Sequence, residues 1–328
     1  MKFQMMRFNP FESASGSSLD KTFRKSFNGN SGFPYTNTRV RVMKTRLLGG
    51  ADYKRLMNMS VPEITRFLEE SDYKTEIDSL SQQFKGLNLI EYSLMKNLER
   101  TFKRIYDFSL KQANQQLGLF LKKWDYWNIK ILLRGLQTKS NKNEIMHNMV
   151  LVGDFKSEFF ERILNNAQTI EQAIDYFKDT NFYPILSKHK NSLAKLEDEL
   201  DRFYYLNLLE NSSKELRNFG KNQIKSINTL NMLRLKDLDS KKDFLIPGMD
   251  EIMQVPEGLD DLEKIAYVKR EQLENGLHKM HSFKSNMDPL LGYFTAKEIE
   301  VNNLRMIIRG KQTGIAAEKI EKSLVYLS

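Results

Sequence analysis

Residues 87–121 read LNLIEYSLMKNLERTFKRIYDFSLKQANQQLGLFL. Leu87, Ile90, Leu94, Leu98, Phe102, Ile105, Ser109, Leu110, Ala113, Leu117, Phe120 and Leu121 step by three or four positions, a helical period held for about ten turns. The spacing predicts one helix of roughly 50 Å at 1.5 Å per residue. Outward from this stretch the chain stays permissive for helices. Of its seven prolines, none falls between Pro62 and Pro184 or between Pro184 and Pro247. β-branched alternation occurs only briefly, in Thr38 to Val42. Ser60-Val-Pro-Glu63, Thr169-Ile-Glu-Gln172 and Thr295-Ala-Lys-Glu298 match the capping box that opens a helix. Gly135 and Gly310 follow apolar runs ending in Arg, which predicts left-handed glycines just past two helix ends. Ile246-Pro-Gly248 and Val255-Pro-Glu-Gly258 mark loops. The fold class is all-α.

The 328 residues carry 51 Lys+Arg against 42 Asp+Glu, a formal charge of +9. Cations and acids alternate, as in Glu171 to Lys178 and Glu197 to Arg202, so the excess is not gathered on one face as nucleic-acid binding requires. Phe102, Tyr106, Phe203 and Tyr204 lie near basic residues at helical spacing and read as core. Without cysteine, disulfides, thiolate nucleophiles and cysteine-based metal sites are excluded. No Walker loop is present, so no nucleotide site is expected. No apolar run approaches the 18 to 20 residues of a membrane span. Residues 1–34, with Ser, Gly and Asn around isolated Phe, lack the apolar core of a secretory signal and read as a flexible extension.

The most specific feature is internal. Asp125-Tyr-Trp-Asn128-Ile-Lys-Ile-Leu-Leu-Arg134-Gly135-Leu-Gln137-Thr138 aligns without gaps on Glu300-Val-Asn-Asn303-Leu-Arg-Met-Ile-Ile-Arg309-Gly310-Lys-Gln312-Thr313. A weaker copy retains Asn228 and Arg234 at the same six-residue interval, with Lys225 at the acidic position and Leu235 for the glycine. A trace at Arg39 to Leu47 ends on Arg46. Three units of under about a hundred residues follow, divided as 35–125, 126–225 and 226–328. Each exposes apolar faces that its neighbours must cover, so three copies can close around a centre. Asp125, Asn128, Arg134, Asn228, Arg234, Glu300, Asn303 and Arg309 are the candidate residues, for helix orientation or for an interface.

Other clusters have plainer readings. Glu274, His278 and His281 share a predicted helix face, but a metal would need a further ligand from elsewhere, so no metal site is assigned. Asp260-Asp261-Leu-Glu263 reads as a capped helix start, with acids at the positive end of the dipole. Glu197-Asp-Glu-Leu-Asp201 reads as a solvated face.

At Arg39-Val-Arg-Val-Met-Lys-Thr-Arg46-Leu-Leu48, Glu63-Ile-Thr-Arg-Phe-Leu-Glu-Glu70 with Tyr73, Asp125 to Arg134 and Glu298 to Arg309, the sequence resembles the C subunit of archaeal-type and bacterial V-type rotary ATP synthases, counterpart of the d subunit of eukaryotic vacuolar pumps. The resemblance runs from about Tyr35 to the end. It implies a non-catalytic rotor part without cofactor, built as a pseudo-threefold funnel of three helical bundles. Its implied partners are the central-shaft subunits above and the membrane proteolipid ring below, and it would lie peripherally on the cytoplasmic side of the cell membrane. The complex would make ATP from ADP on a proton or sodium gradient. The reading that uses composition alone is a generic helical scaffold or nucleic-acid-binding protein.

Overall fold

Helices dominate the computed structural model, which describes residues 31–189, 192–234, 245–246 and 252–326 apart from the side chain of Leu262. Among the described residues there are no strands. In chain order the helices are α1 (Phe33–Lys44), α2 (Gly50–Met57), α3 (Val61–Glu69), α4 (Lys74–Leu80), α5 (Gly86–Phe108), α6 (Lys111–Leu121), α7 (Lys123–Thr138), α8 (Lys142–His147), α9 (Ser157–Asn166), α10 (Ile170–Asp175), α11 (Tyr183–Lys188), α12 (Leu193–Asn211), α13 (Lys214–Arg234), α14 (Asp261–Leu277), α15 (Asp288–Gln312) and α16 (Ala317–Ser323), with a 3₁₀ turn at His278–His281.

The long helices make a closed circuit. α5 packs on α6, α6 on α7, α7 on α12, α12 on α13, α13 on α14, α14 on α15, and α15 returns to α5. α15 is buried over most of its 25 residues, and the polar groups that go in with it, Lys297, Glu300 and Asn303, are paired. Its Phe294 ring meets Phe102 of α5 at 4.4 Å and Phe120 of α6 at 5.2 Å, and Phe120 in turn meets Phe219 of α13 at 5.9 Å. These edge and tilted contacts tie four segments distant in sequence into one core. No helix among the described residues is long and apolar enough to cross a membrane.

Several expectations change on contact with the tertiary structure. The predicted ten-turn helix is two helices broken at Ser109–Leu110, where both residues are extended and Lys111 has φ 50°. Asn114 donates to Tyr106 O at 2.9 Å, and Ser31 O accepts from Ala113 N at 3.0 Å, so a carbonyl and an N–H beside the break are paired. The same apolar face continues across it, which is why periodicity could not show it. Thr38 to Val42 is helical, inside α1. The box at Ser60 does open α3, and Thr169 caps α10 through its hydroxyl, but the Gln172 side chain accepts from Gln168 N, so the reciprocal half of that box is not made. Thr295 does not open a helix: α15 begins seven residues earlier, with Pro289 in its first turn, and Thr295 is buried mid-helix. Gly135 and Gly310 also lie inside their helices. The left-handed residues fall later, at Lys139 and Gly314. At both glycines a Cβ would sit well inside van der Waals contact of an isoleucine ten residues on, Ile145 or Ile320. These glycines permit close packing and do not supply a turn.

The expected extension at residues 1–34 lies outside the described residues except for its last four. Those four belong to the fold, since α1 starts at Phe33 and that ring is buried. The unit borders at 125/126 and 225/226 fall within α7 and α13.

Candidate functional site

The three repeated asparagines make one and the same local structure. Asn128 Nδ2 donates to Val150 O at 2.8 Å while its Oδ1 accepts from Val150 N at 2.9 Å. Asn228 does this with Ile246, at 3.2 and 2.9 Å, and Asn303 with Val325, at 2.7 and 3.2 Å. Only a primary amide offers a donor and an acceptor side by side for one residue's N–H and C=O. All three are buried, so the clamp replaces the ladder partner that a strand would have provided.

The acidic position is used differently in its two copies. The Asp125 carboxylate accepts from Asp154 N at 2.8 Å and Phe155 N at 3.2 Å and so anchors the loop over α7. Burial pushes its carboxyl pKa up to about 7, against the opposing pull of those two N–H donors. Glu300 accepts from Leu48 N at 2.6 Å, Tyr73 Oη at 2.5 Å and Lys297 Nζ at 2.6 Å, all deep in the core. Burial and the Glu300 charge hold the Tyr73 phenol well above its ordinary value, so it stays a donor.

The arginines pair across the circuit. Arg134 of α7 grips Glu197 of α12 through Nε at 2.5 Å and Nη2 at 2.6 Å. Arg309 of α15 grips Glu91 of α5 in the same two-pronged manner. Arg234 is exposed at the last residue of α13. The candidate residues are therefore brought together in sets, Asp125 and Asn128 with the loop after α8 and Glu300 and Asn303 with the chain segments they hold. They are not gathered around one centre. Glu197 and Asp201, read as a solvated face, are partners of α7 cations, Glu197 of Arg134 and Asp201 of Lys130. Asp260 and Glu263 form the expected capping box, at 2.8 and 3.0 Å. Glu274, His278 and His281 do not share a helix, because α14 ends at Leu277 and the histidines occupy the 3₁₀ turn. Among the described residues no three His, Asp or Glu side chains are grouped to hold a metal.

A recess of about 290 Å³ lies where α5, α7, α12 and α15 face one another. Its wall is aromatic and aliphatic: Met95, Leu98, Trp124, Tyr126, Trp127, Tyr204, Tyr205 and Val301. Trp127 is one of few large apolar side chains left open, at 41% exposure. Most charges at the rim cancel within the protein. Lys123 pairs with Glu298, and Lys130 Nζ lies 2.5 Å from Asp201. Arg305 is different: its Nε has no acceptor among the described residues, and burial beside Arg309 pulls its guanidinium below the ordinary value. The Trp124 Nε1–H on the same wall is also unsatisfied. A second hollow of about 240 Å³, reaching Arg134 and Gly135, shares Met95, Trp127 and Arg305 with the first.

The recess is built from positions of the repeat at which the two copies carry different residues. Trp127 and Asn302 hold one position of the motif, Lys130 and Arg305 another, and Lys123 and Glu298 a third, two residues before the acid. The shared asparagines face inward and the differing positions line the hollow. The basic position was visible in the alignment, but nothing local showed that it faced a cavity. Chemically, this site offers apolar rings and an unsatisfied cation. It presents no nucleophile beside a base and suits docking of a protein segment.

A sequence model of the ATP synthase (C/AC39) subunit family matches residues 36–254 and 249–323. The chain is 30% identical to the A-type ATP synthase C subunit of Methanosarcina mazei, a match covering 92% of this chain and 95% of that protein. The corresponding A-type proteins of Haloferax volcanii and Archaeoglobus fulgidus are also 30% identical, with 92% of this chain and 100% or 98% of the relative covered.

Proposed function

The chain belongs to the ATP synthase (C/AC39) subunit family, and on that premise we propose that it is the non-catalytic rotor subunit of an A-type ATP synthase, joining the central shaft to the membrane proteolipid ring. The complex then makes ATP from ADP using a proton or sodium gradient, and this subunit sits peripherally on the cytoplasmic side of the membrane. The observation that carries the reading is the aromatic recess between α5, α7, α12 and α15, with Trp127 open and Arg305 lacking an acceptor at Nε. Such a hollow receives the end of a shaft: apolar area supplies affinity and a buried cation selects an acidic or carboxyl-terminated tip. The three asparagine clamps and the two cross-circuit Arg–Glu pairs support three equivalent bundles around a pseudo-threefold axis. A closed circuit of long helices is stiff enough to carry torque.

The test is purification of the complex from membranes. The subunit is expected to leave the membrane with chaotrope and no detergent, in company with shaft and ring subunits. Trp127→Asp is expected to lose the shaft while the isolated subunit still unfolds cooperatively at a modestly lower temperature, because the ring is partly open to solvent. Recovery of the wild-type protein from gently lysed cells free of every other synthase subunit refutes the assignment.

A further inference from the structure

A second surface lies on α1 and the turn that precedes α15. Asn37, buried on α1, donates through Nδ2 to Lys284 O at 3.3 Å and Asn286 O at 3.1 Å. One turn on, Arg41 Nη2 donates to Ser282 O at 3.2 Å, and after another turn Lys44 Nζ lies 3.3 Å from His281 Nδ1. Residues 37, 41 and 44 share a helical face, so α1 pins the 281–286 loop along its length. The loop lifts Phe283 to 93% exposure. Arg41 lies over the Phe283 ring at 5.9 Å. Arg41, Lys44 and Lys284 have no acidic partner among the described residues, while Asp288, the single acid between residues 278 and 288, is held by Lys279 at 2.7 Å.

We propose that this surface docks on an anionic lipid membrane, with Phe283 entering the headgroup layer and Arg41, Lys44 and Lys284 meeting lipid phosphates. A protein partner would be matched by a broad apolar patch of defined shape. What is present is a single projecting ring with Arg41 over it, on a loop and helix face that also carry Lys44 and Lys284. That arrangement needs no shape complementarity, and it is the combination that holds peripheral proteins at lipid: a shallow apolar insertion together with Lys and Arg near acidic headgroups. The inference goes beyond the coupling function and does not depend on it, since the surface is separate from the recess and needs no other subunit.

The test is co-flotation of the purified full chain with vesicles of phosphatidylcholine, with or without one third phosphatidylglycerol. Binding is expected with the anionic vesicles only and is expected to fall as salt rises. Phe283→Ser should weaken it several-fold, and combined Arg41→Gln, Lys44→Gln and Lys284→Gln on the order of a hundredfold. A control with Lys214, Lys221 and Lys319 changed to Gln removes the same charge from exposed positions elsewhere and should cost far less. Unfolding temperatures of all variants confirm that each is folded. The proposal fails if Phe283→Ser binds as the wild type does, if the control triple loses as much as the patch triple, or if the patch variants lose only retention on the assembled synthase while vesicle binding is unaffected. That last result would assign the surface to an acidic protein and leave the coupling function intact.

Discussion

The copies of the motif on α7 and α15 share asparagine, arginine, glycine and threonine, and those residues do the same work in both. Thr138 and Thr313 donate to the carbonyls of Arg134 and Arg309 at 3.0 and 2.9 Å, and the N–H of Ser140 and of Ile315 closes on the glycine carbonyl at 2.9 and 2.8 Å. The copies part company at the acid. Asp125 meets only backbone N–H groups, whereas Glu300 has an ammonium and a phenol bonded to it. They differ again where Trp127 and Lys130 face Asn302 and Arg305 across the recess. Identity therefore marks what each helix needs in order to pack. Divergence marks either a different neighbour or the open hollow.

The comparison breaks first at the clamps. Asn128→Leu and Asn303→Leu should each destabilise by about 2–6 kcal/mol, because each leaves a buried N–H and a buried C=O unpaired at about 1–3 kcal/mol apiece. Denaturant midpoints check this, and a cost under about 1 kcal/mol at one site but not the other would end the equivalence.

The acids come next. The folded value of Asp125 is about 7 against 3.8 for the unaltered group, so the folded state binds more protons between those limits and stability from this group declines as pH rises through them. From pH 5 to pH 7 the wild type should lose about 2 kcal/mol relative to Asp125→Asn, read as the difference between the two unfolding profiles. An equal slope in both proteins would mean that burial does not raise the Asp125 carboxyl.

The glycines sharpen the comparison through a sign. In an open helix Gly→Ala gains up to about 1 kcal/mol. Gly135→Ala and Gly310→Ala should instead cost about 1–2 kcal/mol from overpacking against Ile145 and Ile320. Thermal unfolding decides, and any stabilisation would mean that the close approach is not required.

The smallest effect belongs to the cross-circuit pairs. The arginine side chains are 54% and 58% exposed, so double-mutant cycles for Arg134–Glu197 and Arg309–Glu91 should give coupling of at most about 1 kcal/mol each, falling with salt.

Much of the candidate site was legible one position at a time. The repeat located all three clamp asparagines, because an amide that must satisfy a whole peptide group tolerates no substitute. Their partners Val150, Ile246 and Val325 were not legible, since they sit 18 to 22 residues on, in segments with no periodic pattern. Arg305 and Trp127 stood in plain view as the basic and variable positions of the motif. Their exposure to a recess depends on which helices pass opposite.

By itself the sequence determined that the chain is helical, that it contains copies of one motif, and that catalytic thiol chemistry is absent. These follow from side-chain period, self-similarity and composition, which are local or additive properties. The tertiary structure decided where the long apolar stretch breaks, why the glycines are glycine, which carboxylates meet cations and where the hollow lies. Each of those depends on how segments separate in the chain come together, such as Ser31 with Ala113, Leu48 with Glu300, and Glu91 with Arg309. Long-range approach is a property of how the faces pack together, and a face shows its apolar stripe without naming the helix that will cover it.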